Sequence, residues 1–375
     1  IRLHYLTRHG QDILSSLLSA LEWAQQGTKL YPSWPALWVD LAHLYLMRAE
    51  HQTAQGQESK PDLEEAVATL RRALQAQPQD IPAHAALGQA LVRLAARDYN
   101  HGENPLPLLT QAREHFSTVL GAAAHRDNAE AGAGLRESFI LEAEYRLALG
   151  QDAAQAMAEA LQTARRDATA HKDSADAQDG LARVLLAQAQ QSLSRGEDPS
   201  AALAEGTQAI ERGHRLRPSD PILLSREGDL FLMAARFQHA LRRPVDADLR
   251  RAQTALTAAL QANKQRADTY VTLARCHLLH AQTSTGNTAA MALVHGLDAS
   301  AKALAISPGS ATALLAQGLL LLAQAERAPV AQRLAMVQPA IAALGSALRA
   351  NPLLAAEGRE ALGRAHALEF VPHRR

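Results

Sequence analysis

Apolar side chains recur every three or four residues along almost the whole chain, in runs separated by short polar stretches. The run 83–95 (AHAALGQALVRLA) belongs to a first helix of roughly 18–20 residues, and the run 63–77 belongs to a second helix of about 16 residues. A polar loop that contains a glycine, and often a proline, lies between the two runs. This pattern predicts amphipathic helices arranged as successive antiparallel pairs.

The two-helix pattern repeats with a period of about 46 residues. The second helix of each unit ends at an anchor residue, and neighbouring anchors lie 44 to 48 residues apart. The anchors are Pro32, Pro78, Ala124, Lys172, Pro218, Lys264, Pro308 and Pro352. Such regularity predicts an all-α fold, a single α-solenoid over residues 1–375. The expected units are 1–32, 33–78, 79–124, 125–172, 173–218, 219–264, 265–308 and 309–352, followed by a C-terminal helix at 353–370.

A glycine lies 22 residues before most anchors and is followed by polar residues. The series is Gly10, Gly56, Gly102, Gly150, Gly196 and Gly286, with Arg242 and Val330 at the same place in two divergent units. We expect this position to end the first helix in a left-handed conformation. The acidic or amide residue two places later, as at Asn104, Asp152 and Asp198, is expected to cap the second helix.

The segment Arg8-His9-Gly10 resembles the phosphate pocket of the histidine phosphatases, in which the histidine accepts a phosphoryl group. However, Gly10 is one member of the glycine series, no strand pattern surrounds it, and no second catalytic histidine motif follows. We therefore interpret this segment as the end of a helix.

Small residues recur at two fixed positions in each unit. Ten residues after the anchors stand Ala42, Gly88, Gly134, Ala182, Gly228, Ala274 and Gly318. Twelve residues before the anchors stand Ala20, Ala66, Ala112, Ala160, Gly206, Ala252, Gly296 and Ala340. Because glycine destabilises a helix interior by about 1 kcal/mol relative to alanine, its recurrence predicts close helix crossings at these positions.

These positions resemble those of the tetratricopeptide repeat, which has a small residue in the middle of its first helix, an alanine early in the second helix and a proline after it. That repeat has about 34 residues. We expect the additional residues of this chain to lie in long inter-helix loops and at the adjoining helix ends.

Residues 143–152 (AEYRLALGQD) and 193–199 (LSRGEDP) resemble the C-terminal repeat arms of large bacterial serine/threonine kinases. The resemblance implies a kinase domain before the repeats, and the chain begins at Ile1 in what reads as the middle of a helix. The sequence contains no glycine-rich loop, VAIK, HRD or DFG motif, so no catalytic role is expected here. The alternative is an autonomous scaffold or adaptor in a secretion, defence or assembly complex.

Composition and charge narrow the classes of function. Apolar residues make up 47% of the sequence and aromatic residues only 4%, and 38 Lys and Arg residues balance 38 Asp and Glu residues. The balance argues against binding to nucleic acid or to an anionic membrane. The single cysteine, Cys276, favours a reducing, cytoplasmic location. The most apolar stretch, 311–325, contains Gln317 and Gln324 and is too short to cross a bilayer, so no membrane span is expected.

Candidate reactive residues all have simpler structural explanations. Cys276, His277 and His280 form the one metal-like cluster, but a fourth ligand is lacking and we expect Cys276 to pack as a small apolar residue. The 16 histidines show no catalytic arrangement. Trp23, Trp34 and Trp38 could anchor a partner, since tryptophan is common at binding hot spots, but we expect them to fill the gap between the first two repeats with some exposure. No enzyme activity, metal, cofactor or small-molecule substrate is predicted.

The concave surface of a solenoid is its usual binding site. In tetratricopeptide geometry, the residues seven, eleven and fourteen places after each anchor point inward. The partner-binding residues predicted in this way are His43, Gln89, Arg183, Asp229, Leu232, Arg275, Leu278, Leu315 and Leu319. The set lacks the Lys and Asn residues with which chaperone-binding members of that family hold a terminal carboxylate. We therefore expect a protein partner that contributes an extended segment or an amphipathic helix.

Overall fold

The structure, a computed structural model, describes residues 14–369, apart from the side chain of residue 54. Within residues 14–369 the regular structure consists of 16 α-helices and two short 3-10 turns, at 123–125 and 352–354, without a strand. The predicted all-α solenoid of helix pairs is confirmed. The prediction for Arg8-His9-Gly10 lies outside the described residues.

Two compact units make up the chain. The first comprises Ile1–Leu147 and Gln151–Val184, and the second comprises Ala148–Gly150 and Leu185–Arg375. The helices of the first unit are α1 (Leu14–Leu30), α2 (Pro35–Ala54), α3 (Lys60–Ala76), α4 (Ile81–Asn100), α5 (Leu106–Gly121), α6 (Ala129–Ala148) and α7 (Ala154–Ala170). The unit boundary falls within α8 (Ala175–Ser194). The second unit continues with α9 (Ser200–Leu216), α10 (Pro221–Ala240), α11 (Asp246–Ala262), α12 (Ala267–Thr283), α13 (Gly286–Ile306), α14 (Ala311–Arg327), α15 (Val330–Ala350) and α16 (Ala355–Glu369).

Neighbouring helices pack in sequence within each unit. In the first unit α2 packs on α3 and α4 on α5, and the first helices α2 and α4 also contact each other. In the second unit the pairs are α10–α11, α12–α13 and α14–α15, and the first helices α10, α12, α14 and α16 contact one another in that order. This arrangement gives each unit a row of first helices beside a row of second helices.

The inter-helix loops are short, which corrects the long loops expected from the sequence. In the first unit, the loops between the two helices of a pair are residues 55–59, 101–105 and 149–153. In the last two pairs of the second unit, the corresponding loops are only residues 284–285 and 328–329. The additional length relative to the tetratricopeptide repeat therefore lies in the helices. Longer helices bury more apolar surface between neighbours than longer loops would.

The predicted helix ends are confirmed at most positions of the glycine series. Gly56, Gly102, Gly150 and Gly196 have φ between +66° and +76°, and Arg242 shares this conformation with a φ of +56°. The side chains of Asn104, Asp152 and Asp198 accept hydrogen bonds of 2.8–3.0 Å from the first backbone N–H of the next helix. Gly286 differs, because it begins α13 rather than following directly on α12, although its φ is +58°.

Close helix crossings occur where the small residues recur. Gly88, Gly134, Gly228 and Gly318 each face a large side chain of a second helix, and a β-carbon on any of them would lie within 2.7 Å of it. Phe116 fills the crossings at Gly88 and Gly134, Leu256 fills that at Gly228, and Leu344 fills that at Gly318. The small-residue pattern is thus explained by packing, as predicted from its phase.

The helix α13 is, by length and composition, the one helix in the described part of the chain that could cross a bilayer. It packs against α12 and α14, and Leu293 and Ala303 lie in the core of the second unit. Core helices commonly meet the same criterion, so it is weak evidence for a membrane segment.

Candidate functional site

In the first unit, the residues eleven places after the anchors lie on first helices and remain in contact with solvent. His43 on α2 is exposed, and Gln89 on α4 and Arg183 on α8 are partly exposed. The Gln89 amide donates a hydrogen bond of 2.8 Å to the backbone carbonyl of Glu130 at the start of α6. Arg183 forms an ion pair with Glu137 of α6. Gln89 and Arg183 therefore connect successive first helices.

The surroundings of Arg183 are acidic. Burial acts to lower the pKa of Arg183, but the carboxylates of Glu137, Glu144 and Asp179 outweigh it and raise that pKa. An arginine that already faces several carboxylates has little capacity left for an acidic partner. Arg183, one of the predicted partner-binding residues, is thus surrounded by acidic side chains of its own unit.

In the second unit, the corresponding residues are Asp229 on α10, Arg275 on α12 and Leu319 on α14. Asp229 accepts a hydrogen bond of 2.8 Å from the Thr272 hydroxyl of α12, and Arg226 lies 3.3 Å from its other oxygen. Arg275 extends its Nη2 atom to 3.5 Å from a carboxylate oxygen of Glu357 on α16. That contact joins α12 to α16, two first helices that are separated in the row by α14.

The four leucines in the predicted set are buried, and their assignment to an accessible groove is wrong. Leu315 is 0% exposed, and Leu232, Leu278 and Leu319 are 7–9% exposed. Leu278, Leu315 and Leu319 belong to one hydrophobic cluster of the second unit and Leu232 to another. Leu315 lies seven places after its anchor, Leu232 and Leu278 lie fourteen places after theirs, and Leu319 lies eleven places after Pro308, so burial is not confined to one of the three predicted positions. A helix within the row is covered by its neighbours on both sides.

Arg236, on α10, was not identified from the sequence. Desolvation by its surroundings and then the positive charge of Arg275 lower the pKa of Arg236, while Glu357 raises it. No hydrogen bond or ion pair holds the Arg236 side chain among the described residues. The Nε atom of Arg275 is buried and has no hydrogen-bond partner either. Glu357 thus contacts Arg275 and also acts on the charge of Arg236 from a greater distance. Sequence periodicity does not reveal this arrangement, because Arg236 lies outside the predicted positions.

The metal-like cluster separates in the structure. Cys276 is completely buried in the core, and burial raises the pKa of its thiol. His277 and His280 instead line a cleft of about 380 Å³ together with His295, Gln253 and Met291. Across residues 14–369, no group of three or more His, Cys, Asp or Glu side chains is arranged to hold a metal ion. Cys276 packs as a small apolar residue, as predicted.

The three tryptophans do not behave alike. Trp38 packs against the core, and its indole N–H donates a hydrogen bond of 2.8 Å to the carbonyl of Pro32. Trp23 and Trp34 are 74% and 57% exposed. The prediction that the tryptophans fill a gap between repeats is therefore confirmed for Trp38 and wrong for the other two.

No protein-family model matches the chain, and no curated protein matches its sequence. Several solved structures resemble its fold. Human IFIT1, solved as a dimer with m7Gppp-AAAA, is 15% identical over 90% of this chain and 72% of its own, with a TM-score of 0.45. YrrB, described as a TPR protein with an unusual peptide-binding site, is 14% identical over 67% of this chain and 97% of its own, with a TM-score of 0.35.

A third similar structure is Nro1, described as a nuclear import adaptor. It is 12% identical over 78% of this chain and 94% of its own, with a TM-score of 0.45. These likenesses are remote in sequence and geometry. The fold is accordingly defined by the helix pairs of this chain, and its function has to be inferred from its own residues.

Proposed function

We propose that this chain is a non-catalytic protein-interaction module whose first helices bind a protein or peptide segment. The observation that carries the proposal is the set of partly exposed polar side chains on the first helices, such as Gln89 in the first unit and Arg275 in the second. The residues on either side of Gln89 and of Arg275 along their helices are buried, so these polar side chains are held on closely packed helices. Preformed polar groups on a rigid scaffold are suited to hold an extended segment at low entropic cost.

The proposal involves no cofactor, no small-molecule substrate and no nucleic acid. The equal numbers of basic and acidic residues support the last point. We place the protein in the cytoplasm, because its single cysteine is buried and neither forms nor needs a disulfide within the chain.

More specifically, we propose that the module is the sensing or substrate-recruiting arm of a bacterial serine/threonine kinase. The support for this is the resemblance of residues 143–152 and 193–199 to such arms. The second candidate is an autonomous scaffold or adaptor. The sequence encoded upstream of Ile1 distinguishes the two. A glycine-rich loop, HRD and DFG there would support the kinase arm, and a start codon one or two helices upstream would support the adaptor.

Peptide display tests the binding function in each unit. A library of 15-residue segments is selected against the purified chain, and each enriched segment is remeasured on variants with confirmed native melting. In the first unit the variant is His43→Ala with Gln89→Ala, and its control is Glu64→Ala with Glu65→Ala on the exposed side of α3. We expect at least a subset of segments to bind the first variant about tenfold more weakly, and to bind the control unchanged.

In the second unit the matched pair is Asp229→Ala with Arg275→Ala against Glu211→Ala with Gln261→Ala. The control residues are exposed on the second helices α9 and α11. If no segment is enriched, or if every enriched segment binds these variants and controls equally, the first helices are not the binding surface and the proposal fails.

A further inference from the structure

A small basic cluster lies on the first helices of the second unit. Arg236 is on α10 and Arg275 is on α12, and these two helices pack directly against each other. The two guanidinium groups are close enough for the charge of one to disfavour the charge of the other. Like charges held together on packed helices cost free energy, unless a negative group offsets them.

Glu357 is the acidic residue that meets this cluster. Its carboxylate lies 3.5 Å from Nη2 of Arg275, which is at the outer limit of a hydrogen bond, and its side chain is about half exposed. The same carboxylate also favours the charged form of Arg236. Asp229, the acidic residue eleven places after Pro218 on α10, is already held by Thr272 and Arg226. One loosely held carboxylate therefore serves two arginines, and the cluster retains a net positive charge.

The donors of these arginines are not all used. Each guanidinium offers five N–H donors in a planar fork that matches a carboxylate. Nε of Arg275 is buried without a hydrogen-bond partner, although such groups are normally satisfied. That atom is closed to solvent, but Arg236 is exposed and no described residue holds its guanidinium, so a second carboxylate arriving from solvent would find free donors there and a positive potential.

Building on the proposed function, we infer that Arg236 and Arg275 form the site that binds a glutamate or aspartate side chain of the partner segment, and that Glu357 is an internal competitor for it. In the free protein Glu357 partly neutralises the pair. When an acidic segment binds, its carboxylate takes over these contacts and Glu357 turns toward solvent. The inferred partner is thus a segment with acidic residues beside the apolar or neutral ones.

An acidic peptide fits this cluster better than a nucleic acid does. A phosphate backbone is bound by basic residues that recur along its path. Here the positions that correspond to Arg275 on the neighbouring first helices are Asp229 and Leu319, so a basic residue does not recur at this position along the row. A single carboxylate or a short acidic run matches that size.

Fluorescence anisotropy of a fluorescein-labelled hexaglutamate peptide, in low-salt buffer, tests the inference on the full chain. We expect Glu357→Gln to tighten binding about three- to tenfold, because the internal competitor is removed without loss of volume. Arg236→Gln and Arg275→Gln are each expected to weaken binding about fivefold or more, the scale of one partly exposed ion pair. Arg250→Gln, on the exposed face of α11, is the matched control for net charge and should stay within about twofold of the native protein.

Unchanged or weaker binding by the Glu357→Gln protein would overturn the role of Glu357. Equal effects of Arg236→Gln, Arg275→Gln and Arg250→Gln would overturn the site, since binding would then follow net charge alone. A labelled A8 RNA is measured in parallel, and tighter binding of RNA than of hexaglutamate at these arginines would overturn the choice of an acidic peptide.

A failure of the acidic-segment inference can be distinguished from a failure of the proposed peptide-binding function. If segments selected by display bind the first helices but ignore the two arginines, the module binds peptides and the acidic specificity is wrong. If hexaglutamate binds Glu357→Gln more tightly than the native protein, and Arg236→Gln and Arg275→Gln more weakly, then the peptide-binding function and the acidic specificity are both supported.

Discussion

The ring of Phe116 occupies the space that the missing side chain of Gly134 leaves: a β-carbon there would lie 2.2 Å from the Cζ atom of Phe116. The same ring also approaches Gly88, where a β-carbon would lie 2.5 Å from Cε1 of Phe116. Phe116 is completely buried between these two first helices. The ring therefore cannot move away from one glycine without moving toward the other or toward the surrounding core.

This relationship predicts that Gly134→Ala destabilises the protein by about 1–3 kcal/mol, although alanine is the better helix former. The matched control is Gly121→Ala, because nothing lies within 4 Å of a β-carbon at Gly121, and that variant should be neutral or slightly more stable. Urea unfolding followed by circular dichroism at 222 nm measures both. Equal stabilities would show that the crossing accommodates a methyl group.

The crossing of α10 and α11 gives the same test in the second unit. A β-carbon at Gly228 would lie 2.4 Å from Cγ of Leu256, so the larger Gly228→Leu substitution should unfold this region locally. Hydrogen exchange of the α10 and α11 amides, compared with those of α16, measures the local effect. Unchanged protection in α10 and α11 would contradict the assigned contact.

Backbone conformation alone predicts a second set of effects. Gly196 has a φ of +74° and open space around its α-carbon, so Gly196→Ala should cost about 1 kcal/mol through strain and not through a clash.

Arg242 has a φ of +56° without being glycine, so Arg242→Gly should stabilise the protein by about 0.5–1 kcal/mol.

Gly363→Ala is the control for these two substitutions. Gly363 lies in the interior of α16, in open space and without a positive φ, so alanine there should increase the thermal midpoint. If Gly196→Ala and Gly363→Ala shift the midpoint in the same direction, the left-handed conformation at Gly196 is not what limits substitution.

The buried ion pair between Arg136 and Asp167 predicts a strong dependence on both partners. The Nη1 atom of Arg136 on α6 lies 2.6 Å from Oδ2 of Asp167 on α7, and both side chains are about nine-tenths buried. Removing one partner leaves an uncompensated buried charge, so Arg136→Met or Asp167→Leu should each destabilise the protein by about 3–5 kcal/mol. The double substitution should recover most of the loss, since an apolar pair needs no counterion.

A double-mutant cycle by urea unfolding measures this coupling. The control is Lys302→Met with Asp298→Leu, an exposed ion pair on α13 for which little coupling is expected. Additive losses at Arg136 and Asp167, of the size seen at the control pair, would show that the buried pair is not held by mutual charge.

Periodicity revealed the features of the fold that every unit repeats. Gly228 and Gly196 could be assigned to a crossing and to a helix end because residues of the same kind stand at the same phase elsewhere. The structure bears out both. The inward-facing set was only partly right, because the positions were transferred from a shorter repeat: Arg275 is partly exposed, whereas Leu315 is in the core.

Features that occur once in the chain could not be predicted from the repeat. The Arg136–Asp167 pair fits because Gly180 of α8 leaves room for the guanidinium, and a β-carbon there would lie 2.3 Å from its Cζ. Likewise, the meeting of Arg236, Arg275 and Glu357 depends on how three separate first helices are placed. Sequence spacing constrains neighbours along a helix, but it does not give distances between side chains of different helices.

The cleft lined by His277, His280 and His295 predicts a loss of stability in acid. Burial, and then the nearby His295 and His280, lower the pKa of His277 from its usual 6.5 to about 4. Between pH 6.5 and pH 4 the unfolded chain therefore binds more protons at this residue than the folded chain does. The contribution of His277 is complete above pH 6.5 and decreases as the pH falls through this window, by on the order of 1–3 kcal/mol once solvent access to the cleft is allowed for.

Urea unfolding of the native protein and of His277→Gln between pH 7.5 and pH 4 isolates this contribution from that of the carboxylates. Glutamine cannot take up a proton, so the variant should lose less stability over that range, and the two curves should converge as the pH decreases. His101→Gln, directly after the end of α4 in the first unit, serves as the control for replacing an exposed histidine by glutamine. Parallel curves for the native protein and His277→Gln would mean that the cleft tolerates a charged His277, and this residue would then have no part in the acid sensitivity of the second unit.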